Sequence, residues 1–296
     1  MSTLFIRTQA GTSSQAGKQA RELAGSEAIA FLNNLQGLDE VKAELNRLLA
    51  FARIIGERKK RDIKTEPVSM HMLFVGPPGT GKTVVARQVG KLLASVGLLR
   101  RGHLVEADKK TLVGRYVGET PKLVQSKFDE ARDGVLFVDE AYALADGQFG
   151  KEAIDTLLKL MEDFREEVIV IFAGYEAEIA KLLDSNVGLA SRFTRRLRFT
   201  NYQPETLIRI FETTVANGGY RMDESATREV HRNITELALR GARDPSFGNA
   251  RAIRSLYEKV VVSQSERLAV SAEDPSSLTD ADLITISRAD IESATL

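Results

Sequence analysis

The chain has 296 residues, 43% of them hydrophobic and 28% charged, with 41 basic and 41 acidic side chains that cancel and no cysteine. That composition describes an ordinary globular protein with room for one large domain and a smaller one. It excludes disulfides and thiolate metal sites, and the balanced charge removes the bulk positive field that would favour nucleic acid or an anionic membrane as partner. No apolar run reaches the length of a membrane span, and residues 1–7 are too poor in apolar side chains for a secretory signal. A cytoplasmic location without membrane insertion is the expectation.

Residues 1–33 are rich in Ser, Gln, Gly and Ala and read as a flexible N-terminal extension, helical at most in part, in which Leu4, Phe5 and Ile6 stand out. Asp39 is placed to cap a helix whose apolar stripe is Val41, Leu45, Leu48, Leu49 and Ile54–Ile55. The charged run at 57–62 reads as a solvated face. Residues 70–75 are a short apolar run that suits a strand buried on both faces. Directly after it, Gly76-Pro77-Pro78-Gly79-Thr80-Gly81-Lys82-Thr83 spells G-x-x-x-x-G-K-T, the phosphate-cradling P-loop. Val84, Val85, Val89, Leu92, Leu93 and Val96 then recur at helical spacing until Gly97. Strand, glycine-rich turn and helix are the order that phosphate binding requires, because backbone N–H groups and the positive end of the helix converge on the anion. Residues Gly76 to Val84 are therefore assigned to a nucleoside triphosphate, with Lys82 on the β- and γ-phosphates and the Thr83 hydroxyl on Mg²⁺.

A second strand is expected at 100–107, and a loop at 112–119 sets Tyr116 between two glycines. That tyrosine either meets a partner or folds back on the core, and the loop by itself favours neither. Thr120 as cap and Pro121 in the first turn start a helix with Leu123, Val124 and Phe128 inward. Val135-Leu136-Phe137-Val138 is a buried strand that ends in Asp139-Glu140. At the C-terminal end of a parallel strand two carboxylates stand where ligands bind, Asp139 for Mg²⁺ through its water shell and Glu140 to polarise the attacking water. Joined to the upstream P-loop, the pair points to hydrolysis. A helix through Ile154, Leu157, Leu158 and Met161, a strand at 168–175 and a helix through Ile179, Leu182 and Leu183 follow. The mixed basic and apolar run at 191–199 reads as an edge strand guarded by arginines.

From Tyr202 the period turns helical. Pro204 opens a helix closed by Asn217-Gly218-Gly219, and Asn249 caps another with Ile253, Leu256, Tyr257 and Val260 as its stripe. The expected architecture is a P-loop α/β parallel sheet flanked by helices over residues 34–203, followed by a small all-helical lid over 204–296.

These motifs together resemble the AAA+ ATPases, and within them the group that holds stage V sporulation protein K, red-type Rubisco activase and the type VII secretion ATPases. The likeness covers residues 34–290 and rests on Met70-His71-Met72, residues 102–106, Leu112-Val113-Gly114 with Tyr116-Val117-Gly118, residues 134–142, residues 149–154 and Ala173-Gly174-Tyr175. The resemblance implies that Arg192, in Ser191-Arg192-Phe193, is an arginine finger acting on a neighbouring subunit's nucleotide, and hence a homo-oligomeric ring, commonly a hexamer. It implies that Arg251 is the sensor-2 arginine and that Tyr116, Val117 and Gly118 form a pore loop gripping a protein substrate. The strand that ends at Ala173-Gly174-Tyr175 lacks the usual polar sensor-1 residue, so either Tyr175 takes that role through its hydroxyl or the role is absent. The function so implied is an ATP-hydrolysing ring that remodels a protein. A nucleotide-dependent assembly switch that threads nothing is the alternative, and a DNA-handling ATPase of clamp-loader type is a third reading that the neutral charge disfavours.

Overall fold

A computed structural model describes residues 3–64, 66, 68–272 and 274–294, without side chains for residues 3–16 and Lys18. The contacts of the chain divide it into two units, one of residues 1–76 and 82–199 and one of residues 77–81 and 200–296.

The first unit is a three-layer α/β body. Its sheet is built from β1 (Met72–Val75), β2 (Leu104–Ala107), β3 (Gly134–Val138), β4 (Val168–Gly174) and β5 (Arg195–Arg198). Among the described residues these five pair in the order β2-β3-β4-β1-β5, all parallel. Every residue of β1, β3 and β4 is buried, as strands with helices on both faces must be. Around the sheet lie α1 (Thr3–Asn34), α2 (Asp39–Lys60), α3 (Lys82–Ser95), α4 (Lys109–Leu112), α5 (Thr120–Glu130), α6 (Gln148–Asp163), α7 (Glu176–Asp184) and α8 (Val187–Arg192). Alternate strand residues feed two apolar clusters. Leu136, Val138 and Phe172 join α5 and α6 on one face, and Met72, Phe74 and Phe137 join α1 to α3 on the other.

Several local expectations are corrected. The stretch expected to be a flexible extension is helical, and its described part packs Gly25, Ala28 and Leu32 inward; the side chains of Leu4, Phe5 and Ile6 lie outside the described residues. Asp39 is the first helical residue rather than the cap, which is Leu38 in a left-handed conformation. Thr120 lies inside α5, and its hydroxyl accepts the Gly114 N–H instead of capping the helix. The edge strand is confined to 195–198, because residues 187–192 form α8.

The second unit contains α9 (Pro204–Asn217), α10 (Glu224–Gly241), α11 (Ala250–Ser271), α12 (Asp280–Ile284) and α13 (Arg288–Ser293) around Leu207, Phe211, Val230, Ile234, Ile253 and Val260. It is not wholly helical. β6 (Arg221–Met222) and β7 (Thr285–Ile286) form a short parallel bridge, which Gln264 on α11 reinforces by donating to the Thr285 carbonyl at 3.2 Å.

Candidate nucleotide site

Parallel pairing carries the C-terminal ends of β3, β4 and β1 to one edge of the sheet, and Asp139, Tyr175 and Gly76 follow those ends. The N–H of Gly76 donates to the Gly174 carbonyl at 3.0 Å, which ties the start of the P-loop to the end of β4. Lys82 and Thr83 are the first residues of α3, and the Lys82 ammonium donates to the Gly76 carbonyl at 2.9 Å. A cation folded onto the loop's own carbonyl is placed to exchange that neutral acceptor for a phosphate oxygen, a stronger, charge-assisted partner. The donor set therefore fits ATP, and a hydroxyl (Thr83) with an exposed carboxylate (Asp139) fits a hydrated Mg²⁺.

Asp139 and Glu140 leave β3 into solvent. The Asp139 N–H is held by the Ala107 carbonyl at 2.9 Å and the Glu140 N–H by the Asp139 carboxylate at 3.0 Å. Glu140 has φ 48° and ψ 41°, a left-handed conformation that costs a non-glycine residue about 1 kcal/mol. Strain at this one residue turns the chain sharply out of the strand, so two consecutive residues are spared the alternation that would bury one of them.

Sequence reasoning gave no role to Tyr142, two residues on. Its ring lies 6.2 Å from that of Tyr175. Burial, then the charge of Glu140 and the neighbouring Tyr175 and Asp139, raise its phenol above the ordinary tyrosine range, so it stays a protonated donor. A tyrosine pair thus stands at the end of β4, where only Tyr175 had been considered; the signal was available in the run Asp139-Glu140-Ala141-Tyr142.

Arg192 is elsewhere. It ends α8, before β5 begins, and its carbonyl accepts from the Ser69 hydroxyl at 2.7 Å, ahead of β1. It therefore sits at the N-terminal edge of the sheet, a strand length from Lys82. Its guanidinium donates to the Gly188 carbonyl at 3.1 Å and pairs with Glu162 at 3.4 Å, while its Nε is buried without a partner. Of the basic residues on the edge strand, Arg195 pairs with Glu44, and Arg196 and Arg198 with Glu176.

The tip of the P-loop belongs to the second unit, where it is tightly bonded. Asn249, expected to cap α11, occupies the cap position but uses its side chain otherwise. Its amide donates to the Pro78 carbonyl at 3.2 Å and to Asn201 at 2.8 Å, and its oxygen accepts the Tyr202 N–H at 2.9 Å. The Tyr202 hydroxyl donates to the Thr80 carbonyl at 3.0 Å, and burial pushes that phenol up to about 12, which keeps its proton in place. The Ala250 N–H donates to the Gly79 carbonyl at 3.2 Å. Gly79 has φ +68°, and a Cβ there would lie 1.9 Å from the Gly248 carbonyl oxygen. Arg251 follows at the exposed start of α11.

The comparisons with known proteins agree with this geometry. The model of the ATPase family associated with various cellular activities (AAA) matches residues 72–201, and an AAA lid domain model matches residues 203–296. Stage V sporulation protein K of Bacillus subtilis is 36% identical over 264 residues, covering 88% of this chain and 80% of that protein. This chain belongs to the AAA ATPases. The members of this family are nucleotide-binding hydrolases that use ATP with Mg²⁺. The ESX-3 secretion system protein EccA3 of Mycobacterium tuberculosis is 37% identical over 269 residues, 86% of this AAA ATPase but 43% of that protein. The ESX-1 protein EccA1 of the same species is 40% identical over 263 residues, and this chain spans less than half the length of either. Among solved structures, the FIGL-1 AAA domain in complex with ADP aligns with TM-score 0.60 at 21% identity over 88% of this chain and 82% of that one. A structure on katanin self-assembly aligns with TM-score 0.57 at 19% identity, over 89% and 82%. At those identities the likeness is one of fold. No described helix of this AAA ATPase is long and apolar enough to cross a membrane.

Proposed function

We propose that this AAA ATPase hydrolyses ATP in a homo-oligomeric ring, a hexamer, and uses the turnover to pull on a protein substrate with the loop around Tyr116, Val117 and Gly118. In this reading residues 34–203 are the nucleotide-binding domain, residues 204–296 the lid, and the ring works in the cytoplasm without nucleic acid.

The observation that carries the proposal is the exposure of that loop. Tyr116 is 75% and Val117 91% exposed, side by side at the tip of the loop. Adjacent aromatic and aliphatic side chains held in water suit a surface that meets another polypeptide. Assembly is supported by Arg192, which lies at the opposite edge of the sheet from its own Lys82 and so is suited to a neighbour's nucleotide.

The roles follow from chemistry. Residues 76–84 hold the triphosphate, and Thr83 with Asp139 would hold Mg²⁺, which when bound neutralises charge on the phosphate oxygens. Glu140 accepts the proton of the attacking water. Lys82 and the neighbour's Arg192 stabilise charge on the transferring phosphoryl, a contribution that in trans is worth ~10³-fold or more. Arg251 senses the nucleotide from the start of α11. The test is Glu140→Gln. ATP binding persists while turnover falls by ~100-fold or more; equal turnover sinks the assignment. Tyr116→Ala separates the remodeller from an assembly switch, since a switch keeps its cellular function without the ring of that tyrosine.

A further inference from the structure

We infer that Glu119 is a positioning residue that holds the Tyr116–Val117 tip in its gripping shape by hydrogen-bonding the loop's own backbone. The inference rests on the gripping role proposed for Tyr116 and adds what shapes that grip.

Glu119 occupies the N-cap position of α5, where a carboxylate ordinarily bonds the free N–H groups of the first turn and gains from the helix dipole. Here it makes no such bond. Its side chain turns the other way, and one oxygen, Oε2, accepts both the Arg115 N–H at 2.7 Å and the Tyr116 N–H at 3.2 Å. The backbone closes the turn from the other side, with the Glu119 N–H donating to the Tyr116 carbonyl at 3.2 Å. One residue earlier the Gly114 N–H donates to the buried Thr120 hydroxyl at 3.0 Å. The N–H groups of residues 114, 115 and 116 are thus all bound by the two residues that open α5.

Gly114 is part of the device. A Cβ at that position would lie 2.6 Å from Glu119 Cβ and 2.8 Å from Oε2, so any side chain there would displace the carboxylate from under the loop. The fold thereby binds the backbone of residues 114–116 inward and leaves the Tyr116 and Val117 side chains outward. A loop fixed before it meets its partner loses less conformational freedom on binding.

Both bonds end on a single oxygen, and this makes the inference sharp. The amide oxygen of glutamine can accept the same two N–H groups, whereas alanine can accept neither. The experiment uses the full chain with Glu140→Gln, held in ATP, and fluorescein-labelled casein as an unstructured polypeptide probe. Glu119→Ala is expected to speed amide exchange at Arg115 and Tyr116 by ~10-fold or more and to weaken casein capture by a similar factor, since the charge-assisted bonds are lost. Glu119→Gln is expected to stay within a few-fold of the parent in both. Unchanged exchange in Glu119→Ala overturns the inference, as does a Gln variant that behaves like Ala, because charge and not hydrogen bonding would then hold the loop. Faster exchange with undiminished capture also overturns it, provided Tyr116→Ala captures less. If Tyr116→Ala captures casein as the parent does, the gripping reading itself falls, and the exchange difference then describes loop geometry alone.

Discussion

Two loops of this protein solve opposite problems. The P-loop presents backbone and binds its own carbonyls: Thr80 is fully buried, its hydroxyl returns to the Pro77 carbonyl at 2.8 Å, and the tip at 77–81 is bonded through Asn249, Tyr202 and Ala250. The loop at 114–118 does the reverse, with the N–H groups of residues 114–116 bound by Glu119 and Thr120 and the Tyr116 and Val117 side chains in water. A small anion is recognised by N–H groups arranged around it, and a polypeptide by apolar side chains that can be covered. The polar groups a loop satisfies internally therefore tell which kind of ligand it is left to meet.

The largest effect is expected where the P-loop has least room. Gly79→Ala sets a Cβ 1.9 Å from the Gly248 oxygen at a φ of +68°. We expect ATP affinity, measured by titration with a fluorescent nucleotide, to fall ~100-fold or more, about 2.7 kcal/mol. Affinity within a few-fold of wild type would show that the tip yields, and would break the contrast between a fixed P-loop and a displayed one.

A smaller effect probes the strand beneath. His71, just before β1, is buried, accepts the Val170 N–H on Nδ1 at 3.1 Å and is held well below the ordinary histidine range, at about 4, by burial first and the charge of Arg192 besides. A depressed folded pKa means that the unfolded chain binds the extra proton between pH 6.5 and 4. The contribution is present in full above pH 6.5 and is lost as pH falls towards 4. Unfolding by denaturant should show ~2 kcal/mol less stability at pH 5 than at pH 7 from this group. His71→Gln should remove that part of the slope, and an unchanged slope would show that the ring titrates as it does in water.

The smallest effect belongs to the displayed loop. Val117→Ser at a 91% exposed position should change unfolding free energy by no more than ~0.5 kcal/mol. It should nevertheless reduce casein capture several-fold, and a large loss of stability would mean that the valine is structural.

Much of this was legible beforehand. The strands were visible because sheets covered on both faces demand unbroken apolar runs, such as Val168 to Ala173. The P-loop and the Asp139-Glu140 pair were legible because their chemistry restricts residue type at each position. Helix packing through small residues was not. α1 buries Gly25, Ala28 and Leu32, and α10 buries Ala226, Val230, Ile234 and Ala238, patterns with too few large side chains to stand out. The caps were legible only in part. Asp39, Thr120 and Asn249 all suit a helix start by type, and Asn249 does hold the cap position, but the side chains of Thr120 and Asn249 bond partners that only the tertiary structure supplies. Arg192 carried no signal of its own that it would pair with Glu162.

The contact between α1 and α3 has a consequence for anyone who alters the start of this chain. A Cβ on Gly25 would lie 2.2 Å from the Cβ of Ser95, so the first helix touches the far end of the rod that begins with Lys82 and Thr83. That rod is 14 residues long, about 21 Å at the rise of an α-helix. A side chain introduced at Gly25 is therefore mechanically one helix away from the triphosphate, and the ATPase rate should serve as its strain gauge.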